Sequence, residues 1–274
     1  MNRASGKVYL VGAGPGAPDL LTLRAARLLA EADVVFHDAL VHPDTVALAT
    51  RAIKIAVGKR CGRHSTAQRF INKRLIDAVK VHQTVVRLKG GDPMLFGRAQ
   101  EEIDALVAAG IEVEVVPGVT AALAASAELK TSLTRRADAK SGGSRSVVFV
   151  TPRIATDANQ GESHDAMGWI DAVNSADTAI LYMASREADR IAAALIARGR
   201  SASTPVAVVE NASLPEAFTR IMTLADLARD GLVQIDGPTT LVVGEVVRSS
   251  ALRQMLPAET EVEASRAQER CKAA

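Results

Sequence analysis

Apolar, largely β-branched runs alternate along this chain with alanine- and leucine-rich stretches of helical spacing, and the runs end in glycine or a polar turn. That alternation predicts strands joined by helical crossovers, the sequence form of a mostly parallel α/β sheet. Residues 7–11 read as the first strand, 19–31 as a helix capped by Asp19 behind Pro18, and 34–37 as the second strand. Further strands are expected at 53–57, 84–88 and 113–116, with helices at 65–81 and 96–109. Pro117 and Gly118 interrupt the pattern, and 120–129 resumes as an alanine-rich helix. The alternation then returns, with strands at 146–150, 178–182, 205–210 and 239–243 and a helix through 184–198. The expected organisation is an N-terminal α/β lobe over 1–118, a C-terminal α/β lobe over 119–248, and a charged tail over 249–274 that is partly helical or disordered. Polar stretches at 135–145 and 154–167 read as loops or lids.

Composition narrows the function classes. Over 274 residues, 33 lysines and arginines against 31 acids leave a net charge of +2, without the basic field of a dedicated nucleic-acid binder. Apolar runs such as 115–119 and 206–209 are far too short to cross a bilayer, and residues 1–7 lack the apolar core of a secretory signal. Cys61 and Cys271 lie far apart and outside any two-cysteine motif, which argues against a disulfide framework or a zinc site. A cytoplasmic protein with no metal, membrane or nucleic-acid partner is expected.

Three glycine loops fall at predicted strand ends. Gly12-Ala13-Gly14-Pro15-Gly16-Ala17 formally fits a dinucleotide fingerprint with Asp38 downstream, which raises an NAD-dependent oxidoreductase as a rival. Pro15 and Pro18, however, remove backbone N–H donors from the turn that would cradle a pyrophosphate. In Arg87-Leu88-Lys89-Gly90-Gly91-Asp92-Pro93, the two glycines expose backbone while Asp92 repels phosphate and suits ligand hydroxyls or a cationic centre; its bland alternative is a helix cap. Pro117-Gly118-Val119-Thr120-Ala121-Ala122 has side chains small enough for a flat adenosyl group to approach, or is simply a hinge. Together the loops predict a crevice where an open α/β sheet binds its ligand.

These residues resemble the uroporphyrinogen III C-methyltransferases of the tetrapyrrole methylase superfamily. The likeness is carried by the first loop with Leu20-Leu21-Thr22-Leu23, by Val57-Gly58-Lys59-Arg60 with His64, and by Val86 to Pro93 with Phe96-Gly97-Arg98. It continues through Glu114 to Ala122, Ser132-Leu133-Thr134, Tyr182-Met183 and Val209-Glu210-Asn211, spanning about residues 7 to 247 in order. The resemblance implies a two-lobed α/β fold, each lobe a mixed, mostly parallel sheet flanked by helices, with an active-site cleft between the lobes. It also implies a homodimer, S-adenosylmethionine as methyl donor, and uroporphyrinogen III methylated twice, via precorrin-1, to precorrin-2, with S-adenosylhomocysteine released. By position, Pro15, Gly90, Gly91, Asp92 and Leu95 would line the donor pocket, joined by Thr120, Ala121, Met183 and Ala212. Asp38, Lys59, Arg98 and Glu101 would stand near the tetrapyrrole. Ala17, Ala212, Arg135 and Thr151-Pro152-Arg153 depart from the family pattern, and the last puts substrate capture there in question.

Methyl transfer from a sulfonium to a pyrrole carbon needs an in-line arrangement in a dry site and an acceptor for the proton that the alkylated ring sheds. Arg98 suits a substrate carboxylate better than it suits proton abstraction, which falls to Asp38 or a water. Arg135, Arg136, Lys140 and Arg145 form a basic cluster that either steers the polycarboxylate substrate or is an ordinary solvated loop. Other members of the superfamily, acting on later corrin intermediates, on ribosomal RNA or on a protein side chain, are the nearer rivals. A binding-only protein that keeps the fold is a further one.

Overall fold

The computed structural model describes residues 6–57, 68–137, 143–152 and 168–248. Two units emerge, one made of the chain up to Ala124 together with Asn211–Ala217, the other of Ala125–Glu210 and the chain from Phe218 onward.

In the first unit the strands are β1 (Lys7–Gly12), β2 (Val34–His37), β3 (Ile53–Ala56), β4 (Thr84–Lys89) and β5 (Val113–Val116). They form one sheet in the order β3-β2-β4-β1-β5, with every pairing parallel. Between them run helices α1 (Leu23–Glu31), α2 (Pro43–Ala47), α3 (Gln68–Ala78) and α4 (Ala99–Ala108). Parallel strands need such crossovers, and covering both faces forces the inner strands to be apolar on both sides. Val8, Leu10, Val34, Phe36 and Val85 pack against Ile71 and Leu75 of α3 and Leu106 of α4. On the opposite face Val11, Val35, Val86 and Leu88 meet Ala25, Leu28 and Leu29 of α1 and Val46 of α2. The chain therefore leaves β1 for one face and its neighbour β4 for the other, so ligand-binding loops gather at their carboxyl ends.

The second unit begins within α5 (Ala121–Glu128) and contains β6 (Val147–Val150), α6 (Gly168–Ser175), β7 (Thr178–Tyr182), α7 (Ala188–Ala197), β8 (Pro205–Glu210), β9 (Phe218–Thr223), α8 (Leu224–Asp230) and β10 (Thr239–Gly244). Its sheet runs β6-β7-β10-β8-β9. Leu181, Val206, Val208, Leu241 and Val243 form one core with Ile170 and Val173 of α6, Ile191 and Leu195 of α7, and Leu224 and Leu227 of α8. This sheet is mixed, as expected, but antiparallel pairings outnumber parallel ones: β6–β7 is parallel, while β7–β10, β10–β8 and β8–β9 are antiparallel. A strand buried on both faces reads the same in either direction, so the apolar runs carried no sign of it.

Several element boundaries shift for identifiable reasons. Asp19 does not cap the first helix; Pro18–Leu20 is a single 3-10 turn, and α1 starts after Thr22, whose hydroxyl accepts the Ala25 N–H at 3.1 Å. The helix expected from 96 starts at Ala99, because Phe96 and Arg98 hold left-handed backbone with φ of 53° and 55°. That expected through 184–198 is a 3-10 turn, Ser185–Glu187, followed by α7. The loops expected at 154–167 and the tail at 249–274 lie outside the described residues.

Candidate active site

Three loops follow the carboxyl ends of β1, β4 and β5, and they meet through backbone. Gly14 and Gly91 exchange hydrogen bonds, 2.8 Å from the Gly91 N–H to the Gly14 carbonyl and 3.3 Å in return. A Cβ on Gly12 would stand 2.6 Å from the Gly118 Cα and 2.7 Å from the Gly91 carbonyl oxygen. Glycine is required there because main chains approach where side chains would otherwise stand. Asp92 ties the loops together: one carboxylate oxygen accepts the Met94 N–H at 2.8 Å, the other the Gly118 N–H at 3.0 Å. Thr120 follows closely, its Cα 3.9 Å from where a Gly91 Cβ would be.

The segment Asn211–Ala217 completes this end of the first unit. Ser213 Oγ accepts the Ala17 N–H at 3.0 Å, and the Leu214 side chain fills the space beside Gly16. Asn211 and Ser213 both have positive φ, 51° and 77°, bracketing buried Ala212. Left-handed backbone at non-glycine residues costs energy and concentrates at ligand sites. Pro15, Gly90, Gly91, Asp92, Leu95, Thr120, Ala121 and Ala212 thus belong to one unit, the first six on the loops after β1, β4 and β5. Met183 belongs to the second unit, directly after β7, half-exposed and itself at φ 56°.

The first loop is poorly supplied with donors for a pyrophosphate. Its Ala13, Gly14 and Ala17 N–H groups are already given to Lys89, Gly91 and Ser213, and Pro15 and Pro18 have none. The helix start that would face a phosphate is displaced to Leu23.

Asp38 follows β2, its N–H bound to the Leu88 carbonyl and its Oδ1 accepting from Arg87 Nη2. Arg87 was not among the expected site residues, nor were Lys89, Glu102 and Gln68, yet they form a buried network with Asp38. Arg87 Nε donates to Glu102 Oε1 at 3.1 Å, Lys89 Nζ to Glu102 Oε2 at 3.1 Å, and Gln68 Nε2 to Glu102 Oε1 at 2.9 Å. Burial pulls the Lys89 ammonium below the ordinary lysine value, and the Arg87 charge pushes the same way. The signal was in the spacing: a strand has period two, so Arg87 and Lys89 share the helix-covered face of Val85. Charges at two inward positions require a buried carboxylate.

Arg98 stands at the N-cap of α4, exposed, and grips Glu101 with two hydrogen bonds of 2.7 and 2.8 Å. That guanidinium holds the Glu101 carboxyl below its usual range. Lys59 and His64 lie outside the described residues, as does Lys140 of the basic cluster. In that cluster Arg135 exchanges backbone hydrogen bonds with Ser144 and donates from its side chain to the Val246 carbonyl, while Arg136 and Arg145 are exposed. Among the described residues no group of His, Cys, Asp and Glu could hold a metal ion, and no helix is long and apolar enough to cross a membrane.

Comparison with known proteins agrees with this arrangement. A siroheme synthase of Azotobacter vinelandii is 46% identical over 248 residues, covering 90% of this chain and 51% of that protein. Siroheme synthase 1 of Klebsiella pneumoniae is 44% identical over 250 residues, covering 90% of this chain and 50% of that protein. The chain thus spans about half the length of these curated relatives. Among solved structures, uroporphyrin-III C-methyl transferase from Thermus thermophilus, complexed with S-adenyl homocysteine, superposes with a TM-score of 0.74 at 38% identity, covering 89% of this chain and 99% of that one. The family model of the Tetrapyrrole (Corrin/Porphyrin) Methylases matches residues 7–228, which runs from β1 into α8 and takes in all three glycine loops. With two α/β sheets, a glycine-lined loop cluster and that match over most of its length, the chain belongs to the tetrapyrrole methylase family.

Proposed function

We propose that this chain is an S-adenosylmethionine-dependent C-methyltransferase that methylates two pyrrole carbons of uroporphyrinogen III in succession, giving precorrin-2 by way of precorrin-1. The observation that carries the reading is the convergence of the Gly12, Gly91 and Gly118 loops into a backbone-lined site, in a chain 38% identical to a uroporphyrin-III C-methyl transferase whose complex holds S-adenyl homocysteine.

The donor would be held by Pro15, Gly90, Gly91, Asp92, Leu95, Thr120, Ala121 and Ala212. These residues fit it: they are small or apolar, their backbone is fixed by neighbouring loops, and Asp92 supplies the negative charge that a sulfonium or ribose tolerates and a phosphate does not. When bound, S-adenosylmethionine supplies the electrophilic methyl group. Asp38, paired with Arg87, is the acceptor for the proton that the methylated ring sheds, directly or through a water. Arg98 binds a substrate carboxylate, exchanging it for Glu101, and the family resemblance implies Lys59 as a further group for the tetrapyrrole. No metal is needed, because the pyrrole brings its own electron density. A homodimer working in the cytoplasm completes the proposal, and siroheme or cobalamin synthesis would draw on its product.

Anaerobic incubation with uroporphyrinogen III and methyl-labelled S-adenosylmethionine tests the reading. Label in the extracted tetrapyrrole is expected; folded protein that binds the donor yet leaves the tetrapyrrole unlabelled would overturn it.

A further inference from the structure

Glu102 is fully buried in the first turn of α4, under a helix pair that is otherwise apolar where it meets the sheet. Its two oxygens take three donors: Arg87 Nε and Gln68 Nε2 on one, Lys89 Nζ on the other. Arg87, 2% exposed, uses the remainder of its guanidinium on the Phe36 and Leu88 carbonyls and on Asp38. A continuous chain of charge-assisted bonds therefore runs from α3 through α4 and β4 to the end of β2. Lys89 extends it in another direction, for its Cε lies 3.1 Å from where a Gly97 Cβ would be, directly beneath the turn that presents Arg98. Three charges withdrawn from water, those of Arg87, Lys89 and Glu102, carry a large desolvation cost, and apolar side chains of the same volume would stabilise a helix–sheet contact at least as well. A fully satisfied buried network rigidifies the groups it joins.

We propose that Glu102 is a positioning residue for the methyl transfer: acting through Arg87 and Lys89, it sets Asp38 and the Arg98–Glu101 pair in fixed relation to each other. This rests on the reading that Asp38 and Arg98 face the tetrapyrrole. The donor loops are held by their own backbone bonds and by Asp92, so the network acts on the acceptor side of the reaction and leaves donor binding alone.

The test compares wild type, Glu102→Gln, and the double variant Lys89→Met with Glu102→Gln, by methyl transfer to uroporphyrinogen III, equilibrium binding of S-adenosylmethionine and thermal unfolding. Glu102→Gln should lower kcat by about tenfold or more, since misplacing a reacting group by an ångström is that costly, while donor affinity stays within about twofold. The double variant removes one buried cation together with the buried anion and leaves Arg87 paired with Asp38, so it should unfold near the wild-type temperature and still turn over slowly. That combination, stability recovered without kcat, is what a purely structural role would not produce. A double variant with wild-type kcat, or a loss confined to donor affinity, would overturn the inference alone. Wild-type protein that leaves uroporphyrinogen unmethylated would overturn the reaction itself and the inference with it.

Discussion

Gly118 has no room for even a methyl group: a Cβ there would fall onto the Gly91 carbonyl oxygen and against the Gly12 Cα. Gly118→Ala should therefore cost about 1–3 kcal/mol in denaturant unfolding, as overpacking does, and weaken S-adenosylmethionine binding with it. Arg98 separates backbone from chemistry. It sits at φ 55°, where glycine is at ease, so Arg98→Gly should leave stability unchanged or slightly raised while kcat/KM for uroporphyrinogen III falls at least about tenfold. Equal transfer by the variant would remove Arg98 from the substrate side. The glycines of the loops and Asp38 were legible because special backbone and an acid just past a strand end leave marks in a sequence. Glu102 and Gln68 were not, because nothing local distinguishes a buried glutamate on a helix from a solvated one, and only the facing charges of β4 reveal it.

At the scale of elements, the strands read from the sequence were recovered almost in place, since runs such as 34–37, 113–116, 178–182 and 205–210 are apolar and end in sharp turns. β9 was missed because its exposed edge position lets Thr219 and Arg220 break up the apolar pattern, and α8 because only Leu224 and Leu227 are buried. What specifies α8 is its start: Thr223 and Asp226 form a reciprocal capping box. Thr223→Ala should lower the unfolding free energy by about 1 kcal/mol while S-adenosylmethionine affinity is unchanged. Each unit also uses one aspartate to clamp neighbouring strand starts. Asp33 accepts the Gln83 and Thr84 N–H groups ahead of β4, and Asp177 accepts those of Arg145 and Ser146 ahead of β6.

For the molecule as a whole, those bonds hold the carboxyls of Asp33 and Asp177 below the usual range, through the Thr84 and Arg145 N–H groups first, and the Thr223 hydroxyl does the same to Asp226. Depressed carboxyls stabilise the native state fully above the unfolded value, about pH 4, and lose that contribution as pH falls through the native value, because the unfolded chain binds protons first. Denaturant midpoints should thus be level from about pH 7 down to 5 and drop steeply below about 4. Fold class and family were legible because motif spacing from residue 7 to 247 tracks the order of strand ends; the antiparallel pairings of the second sheet were not, because burial on both faces leaves no directional mark. The proposed reaction is two successive methylations of one ring system, and mass spectrometry of the tetrapyrrole extracted from an anaerobic reaction counts them. A mass gain of two methyl groups per uroporphyrinogen III is expected, with a one-methyl species appearing early and declining. A tetrapyrrole of unchanged mass, from folded protein saturated with S-adenosylmethionine, would contradict it.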